Sequence, residues 1–289
     1  MSLDTSSEVS TSHPTPGPTR TRRARGPRAL GPGSSLSLGI ATIWLSLLVL
    51  IPLAAVLVSA AELGPGGFWD VVTQQQTRAA LVLTVLESLA VTALNVVMGT
   101  VLAWVLVRDR FWGKRLLSLV IDVPFALPTI VAGLVLLTLY GPKSPLGVNV
   151  VGTRFAVFLA LAFVTLPFVV RTVQPVLESL ERDVEEAAAS LGATRLTTFR
   201  RVILPSLVPA IAAGAALSFA RAISEYGSLV LLSGNLPYRT EVAAVRIYGF
   251  VQDGSRASAS AVAAILLVVA LVVIVVLDVL QRRLARRDR

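Results

Sequence analysis

Residues 186–205 read Glu-Ala-Ala-Ala-Ser-Leu-Gly-Ala-Thr-Arg-Leu-Thr-Thr-Phe-Arg-Arg-Val-Ile-Leu-Pro, and they separate two apolar segments that could each cross a bilayer. The alanines and glutamates here and just upstream predict a short helix that begins near Asp183 and ends at Gly192. Gly192 permits a sharp turn before a second short helix from about Thr194. Leu204 and Pro205 are then predicted to stop this pattern and start the next span. We therefore expect two short helices along one membrane surface.

The composition places the whole chain in a bilayer. Of its 289 residues, 54% are hydrophobic and only 15% are charged, and the mean hydropathy is +0.75. Such a chain cannot present an ordinary water-facing surface, so we predict an all-α integral membrane protein. The absence of cysteine excludes disulfides, thiolate metal sites and cysteine nucleophiles. The one histidine, His13, lies in a tail rich in Pro, Ser and Thr, so an enzyme is not expected.

Six apolar segments are long enough to cross a membrane. They lie at residues 36–61, 79–107, 115–140, 155–173, 206–234 and 258–281. At about 1.5 Å per residue, the first exceeds the length of a signal-peptide core of about 7–15 residues. Because it is almost entirely aliphatic, we interpret 36–61 as a peripheral transmembrane helix. Six crossings place both termini on the same side.

The distribution of basic residues predicts which side that is. Residues 1–35 form a basic tail with too little apolar surface to order itself, and residues 282–289 form a basic C-terminus. The proposed inner segments together hold nineteen Lys and Arg residues, whereas the outer loops hold six. Since basic residues favour the cytoplasm in short loops, both termini are predicted to be cytoplasmic, in a multi-pass protein of the cell membrane. The net charge of +9 then reflects topology and requires no nucleic-acid partner.

The loop that contains residues 186–205 carries balanced charge. Its acids are Glu178, Glu181, Asp183, Glu185 and Glu186, and its arginines are Arg171, Arg182, Arg195, Arg200 and Arg201. A purely basic patch would favour anionic lipid, whereas a balanced one does not. The loop is therefore predicted to contact a protein.

Arg221 and Glu225 stand out within the fifth apolar segment. They are four residues apart, on one face of the predicted helix, at a depth where a lone charge costs at least about 2.5–3.5 kcal/mol. Two interpretations remain open. The residues form an ion pair that merely neutralises both charges, or this face lines a permeation path with Arg221 near an oxyanion route or gate.

Weaker polar features lie in the second and third spans. Glu87 and Asn95 lie on nearly one face of the second segment, and Asp122 lies in the third. Each is either a helix-packing contact or part of a cavity. Pro124, Pro128 and Pro167 predict kinks in the third and fourth spans, which either fit the bundle together or open space in it.

The polar loop resembles the EAA loop of permease subunits in bacterial ATP-binding-cassette importers of the type I class. The pattern is Glu-Ala-Ala, three residues, Gly, nine residues, an aliphatic residue, any residue and Leu-Pro. The matching residues are Glu186, Ala187, Ala188, Gly192, Leu204 and Pro205. Val202 stands where the family usually has Ile. The resemblance implies a MetI-like bundle whose loop forms coupling helices that dock on a cytoplasmic ATPase.

Residues 79–281 are similar more specifically to the sulfate and thiosulfate permeases of the CysT type. The stretches that carry this similarity lie at 125–133, 166–178, 220–227 and 233–235. In the third, relatives commonly read Arg-Ser-Leu-Gly-Glu-Phe-Gly. This chain has Ser224 and Tyr226 at two of those positions and keeps Arg221, Glu225 and Gly227, which we assign to the translocation path or gate.

The resemblance implies a multi-subunit importer. Its other parts would be two ATPase copies, a second permease of the CysW type in a heterodimer or else an identical copy, and an extracytoplasmic sulfate-binding protein. ATP and Mg would bind the ATPase. This chain has no Gly-rich loop ending in Gly-Lys-Ser or Gly-Lys-Thr and needs no cofactor of its own. A permease for molybdate or another oxyanion is the main alternative, and a secondary transporter or channel is a further one.

Overall fold

The computed structural model describes residues 32–180 and 182–287. This part of the chain contains helices and connecting turns but no strand, which confirms the all-α prediction. The helices are α1 Pro32–Leu45, α2 Ile51–Ala61, α3 Gly64–Thr73, α4 Gln75–Arg108, α5 Lys114–Ala126, α6 Thr129–Tyr140, α7 Arg154–Ser179, α8 Arg182–Ser190, α9 Arg195–Thr198, α10 Leu204–Ile223, α11 Gly227–Leu232, α12 Ala243–Gln252 and α13 Arg256–Arg287. Two π turns, Ser46–Leu50 and Phe199–Ile203, follow α1 and α9. Nearly all of the predicted tail at 1–35 lies outside the described residues.

The chain divides after Ile51 into two compact units. The first contains α1 and the π turn after it, and large apolar side chains such as Leu38, Ile43 and Leu48 are exposed there. Exposed aliphatic surface of this kind suits lipid. The peripheral role of 36–61 stays a prediction. All of the helices whose packing is described below belong to the second unit.

Five helical stretches among the described residues are long and apolar enough to cross a membrane. They are Leu36–Ala61, Gln75–Arg108, Arg154–Ser179, Arg195–Ile223 and Arg256–Val279. Helices α5 and α6 together supply a sixth only if they are counted as one broken span. The six predicted segments therefore correspond to five single spans, and to six only if the bent pair α5–α6 is counted as one.

The core of the second unit is formed where α4 and α10 pack on α7. Val169 on α7 is fully buried, and a glycine from each neighbour faces this turn. A Cβ at Gly99 would lie 2.8 Å from the Val169 Cβ, and one at Gly214 would lie 3.0 Å from the Val169 Cα. The small residues of the fifth span therefore permit close helix approach, as small residues do in membrane bundles.

The third apolar segment is broken rather than kinked, which corrects the prediction. Helix α5 ends at Ala126, α6 begins at Thr129, and their directions differ by 118°. Leu127 between them is extended, with φ −88° and ψ 134°, because the residue before Pro128 is disfavoured in the helical region. The fourth segment, in contrast, stays one helix although Pro167 and Pro175 lie inside α7.

The fifth segment also differs from its prediction, at both ends. Helix α10 ends at Ile223, and the short helix α11 begins only at Gly227, so 206–234 is not one helix. At the other end, Pro205 does not interrupt the chain's helical course. The π turn accommodates it: the Leu204 N–H donates to the Phe199 carbonyl, and Pro205 occupies the first turn of α10, where a missing N–H costs little.

The two broken segments lie side by side. A Cβ at Gly227 would lie 2.9 Å from the Ile130 N, and one at Gly133 would lie 2.8 Å from the Ser228 Cα. The N-terminal ends of α6 and α11 therefore adjoin. Their C-terminal ends both meet the loop before α7, because the Val150 N–H donates to the Tyr140 carbonyl at 2.9 Å and the Gly152 N–H to the Leu232 carbonyl at 3.3 Å. The half-helices α6 and α11 form a parallel pair.

Candidate functional site

The predicted coupling segment is built from α8, a glycine turn and α9. Gly192 has φ +80°, a conformation that L side chains rarely adopt. The Ala193 N–H donates to the Ala188 carbonyl at 3.0 Å, and the Gly192 N–H to the Ala189 carbonyl at 2.9 Å. These two bonds are those of a Schellman motif, which ends a helix at a left-handed residue. The structure confirms the predicted helix and its sharp end at Gly192.

The second short helix begins as predicted. Thr194 caps α9 by accepting from the Thr197 N–H at 3.3 Å. Within α8, Glu186 and Ala187 are exposed, and Ala188 is half-buried. Exposed residues on a short, capped helix are available to a partner. The role of this segment in coupling, which also involves Leu204 and Pro205, stays a prediction.

A half-buried ion pair joins α8 to the end of α4. Arg108 Nη2 lies 2.5 Å from Glu185 Oε1, and the two side chains are 12% and 31% exposed. Trp104, one turn earlier on α4, meets the ring of Phe199 edge-on at 5.6 Å. The sequence analysis missed this contact, because no local pattern connects residues so far apart in the chain.

The second predicted site lies where α10 ends. Arg221 Nη2 lies 2.5 Å from Glu225 Oε2, and the Glu225 side chain is 1% exposed. The other oxygen, Oε1, accepts from the Ser228 N–H and from the Ser228 hydroxyl, each at 2.9 Å. Arg221 and Glu225 do pair, but not on one helical face, because Glu225 lies beyond the last residue of α10, Ile223. The helix has ended at this point, and the carboxylate is buried.

Gly227 is the first residue of α11 and lies against the start of α6. A Cβ there would lie 2.2 Å from Thr129 Oγ1 on α6. The Arg221 side chain keeps 27% of its surface exposed, whereas that of Glu225 is enclosed. Arg221 is thus the charged group of this site that retains access to a cavity or a partner. Its place on the translocation path stays a prediction.

The weaker polar residues take different positions. Asn95 is buried and donates to Thr165 Oγ1 at 2.7 Å, which links α4 to α7 as a packing contact. Asp122 on α5 pairs with Arg171, which the sequence analysis placed in the cytoplasmic loop but which lies within α7. Arg171 also donates to Gln174 Oε1 at 2.6 Å. Arg171 therefore holds α5 against α7.

Comparison with known proteins agrees with this architecture. Residues 95–289 match the family described as binding-protein-dependent transport system inner membrane component. The sulfate transport system permease protein CysT of Salmonella typhimurium is 42% identical over 267 residues, which cover 90% of this chain and 96% of that protein. The CysT protein of Synechococcus elongatus is 45% identical over 227 residues, 76% of this chain and 82% of that protein.

Solved structures share the fold at low sequence identity. A bacterial alginate ABC transporter, in complex with a pentasaccharide-bound periplasmic protein, has a chain with TM-score 0.71 and 19% identity, covering 87% of this chain and 94% of that one. A chain of the MetNI methionine ABC transporter in an inward-facing conformation has TM-score 0.52 and 20% sequence identity, and the match covers 73% of this chain and 96% of that one. The family match covers more than half of the sequence, and the CysT relatives are covered over most of their length. The chain therefore belongs to the inner-membrane components of binding-protein-dependent transport systems, the permeases of type I ABC importers.

Proposed function

We propose that this chain is the permease subunit of an ATP-driven importer for sulfate, with thiosulfate as a related cargo. The observation that carries the proposal is the 42% identity across 96% of a sulfate transport permease. The match extends over nearly the whole length of that protein, so it covers the loops as well as the apolar helices.

The proposed complex has the parts that the family implies. The chain would pair with a second permease of the CysW type, bind two copies of a cytoplasmic ATPase that holds ATP and Mg, and receive its cargo from an extracytoplasmic sulfate-binding protein. Both termini would be cytoplasmic, which the excess of nineteen over six basic residues supports. The α8–α9 segment would then face the ATPase.

The two candidate sites take different parts in this mechanism. Closure of the ATPase dimer would move the segment from Glu186 to Gly192, and the packed helices would convert that movement into opening of a cavity on the other side. Arg221 would face the passing oxyanion, because it is a partly exposed cation at membrane depth held by a buried Glu225. Gly227 would keep the two broken segments in contact.

Uptake of radiolabelled sulfate tests the proposal directly. A strain that lacks its own sulfate permease, complemented with this chain and its neighbouring transport genes, should regain sulfate uptake. Thiosulfate should compete with the label. Uptake of molybdate with none of sulfate would instead support the alternative cargo and overturn the sulfate assignment.

Two variants test the assigned sites within the same strain. Glu186→Lys should abolish ATPase stimulation by placing a cation on the docking helix, whereas Arg221→Gln should reduce uptake while the complex still assembles. Normal transport by Arg221→Gln would contradict the assignment of Arg221 to the translocation path.

Stimulated ATP hydrolysis that survives Glu186→Lys would argue against α8 as the coupling helix.

A further inference from the structure

The last turn of α4 contacts the coupling segment at three successive positions. Arg108 Nη2 donates to the carbonyl of Leu180, just before α8, at 3.5 Å, and pairs with Glu185 on α8 at 2.5 Å. Trp104 meets Phe199 just after α9, and the Arg108 guanidinium lies 6.0 Å from the Trp104 ring. One end of α4 therefore holds residues before, within and after the two short helices.

Beside these contacts, α8 and α4 are separated by an open pocket. Its volume is about 500 Å³, and it is lined by Trp104, Arg108, Glu185, Ala189, Ala193 and Ile203 among others. Ala189, which lines the pocket from α8, is exposed, so α8 makes little apolar contact with α4 on this side. The Arg108–Glu185 ion pair supplies a direct connection that packing does not.

Helix α4 extends this connection to the residues that its own N-terminal half contacts. Its 34 residues correspond to about 51 Å of helix at 1.5 Å per residue. Thr84 Oγ1 accepts from the Ala243 N–H at the start of α12 at 2.8 Å, and Gln76 donates to Glu241 Oε2 at 2.8 Å. A displacement of the Arg108 end would therefore reach the turn before α12.

We propose that Arg108 is the positioning residue through which movement of α8 reaches α4, and through α4 the α12 end of the protein. This inference rests on the proposed function, because it takes α8 as the helix on which the ATPase acts. Arginine suits the position because its planar guanidinium remains charged while it pairs with a carboxylate and lies near an aromatic ring. Movement of α8 would then reach the membrane helices by two routes: through α10, which follows α9 along the chain, and through Arg108 and α4.

The test uses the complete importer in nanodiscs with its ATPase and binding protein. Arg108→Gln and Glu185→Gln each remove one side of the ion pair without a large change in volume, and Arg110→Gln removes an exposed arginine two residues away. Each of the first two variants should lower the ratio of substrate-stimulated to basal ATP hydrolysis about tenfold, within the usual range of coupling free energies. Arg110→Gln should keep the wild-type ratio.

The double variant Arg108→Gln with Glu185→Gln separates coupling from general damage. If the two residues act through each other, its loss should equal that of either single variant. Losses that add, or single variants with the wild-type ratio, would overturn the proposal. A wild-type importer that sulfate-loaded binding protein fails to stimulate would instead contradict the proposed function.

A crosslink keeps the proposal falsifiable if the neutral variants fail to assemble. The chain contains no cysteine, so Arg108→Cys with Glu185→Cys can be joined by a reducible bifunctional thiol reagent in a complex whose partners lack cysteine. Stimulation should be present when the reagent bridges the two positions and should fall when it is reduced. Equal ratios before and after reduction would overturn the proposal.

Discussion

Helix α7 and the α5–α6 pair both contain two prolines, yet only the second is broken. Helix α7 continues from Arg154 to Ser179 through Pro167 and Pro175, whereas α5 and α6 part at Leu127. A proline removes one backbone hydrogen bond and costs about 3 kcal/mol in a helix interior. The neighbours of a proline, and not the proline alone, therefore decide whether a membrane helix breaks.

The neighbours differ in the two cases. Helix α7 packs between α4 and α10, and Val169, Val173 and Leu177 on it are fully buried. That burial on several sides offsets the missing hydrogen bonds. Helix α5 exposes Leu116 and Leu119, so much less packing holds it to a straight course. The α6–α11 contact then stabilises the broken form.

The largest expected effect is at the contact that holds the break. Gly133→Val would place side-chain atoms against the Ser228 backbone, which already lies 2.8 Å from a Cβ position. Because backbone cannot move aside, the change should destabilise the protein by at least about 3 kcal/mol. The yield of monodisperse protein and its thermal unfolding in detergent measure this. Gly249→Ala is the control, since nothing lies within 4 Å of its Cβ. Because Ala favours a helix more than Gly does, this variant should be at least as stable as the wild type.

A substitution at the break between α10 and α11 should cause the next largest loss of stability. Glu225→Ala leaves Arg221 without its partner in the membrane, at a cost of about 2–3 kcal/mol. The estimate is below that of a fully buried pair because 27% of the Arg221 side chain is exposed. Denaturation in mixed micelles measures the loss. Ser228→Ala removes the hydroxyl but leaves the ion pair intact, so it should cost about 1 kcal/mol. Equal losses in the two variants would contradict a special role for the ion pair.

A smaller effect is expected within the unbroken core. Asn95→Ala removes the hydrogen bonds to Thr165 and to Ser218, at 2.7 and 3.5 Å. Hydrogen bonds between membrane helices contribute about 1 kcal/mol, so the loss should be of that order. The same micelle denaturation measures it. A loss as large as that of Gly133→Val would mean that polar contacts, rather than apolar burial, hold α7 straight.

The smallest expected effect concerns the proline itself. Pro128→Ala allows Leu127 to become helical, but the packing of α6 on α11 should keep the break. Spin labels on cysteines at Leu119 and Val135, both on exposed positions of a chain that lacks cysteine, report the distance across it. That distance should equal the distance between the same labels in the protein that keeps Pro128. An increase toward about 24 Å, the length of sixteen residues of straight helix, would show that the proline alone causes the break.

Local features were the ones that the sequence predicted well. The helix end at Gly192, the start at Thr194 and the positions of the apolar segments depend on backbone preference and hydrophobicity within a few residues. The pairing of Arg221 with Glu225 was predicted too, although for a geometry that the structure does not have. The sequence did not predict a role for Arg108, because its partner Glu185 becomes a neighbour only when α4 and α8 pack together.

From the amino-acid residues alone, the chain could be predicted to be helical and to lie in a membrane, its polar loop to form two short helices, and its family resemblance to be recognised. These properties follow from composition and short-range spacing. The packed structure was needed to learn which proline segments break, that the half-helices α6 and α11 lie in parallel, and that the end of α4 contacts α8. The reason is physical: each of these outcomes depends on contacts between residues distant in the chain, and on whether those contacts offset a local backbone cost.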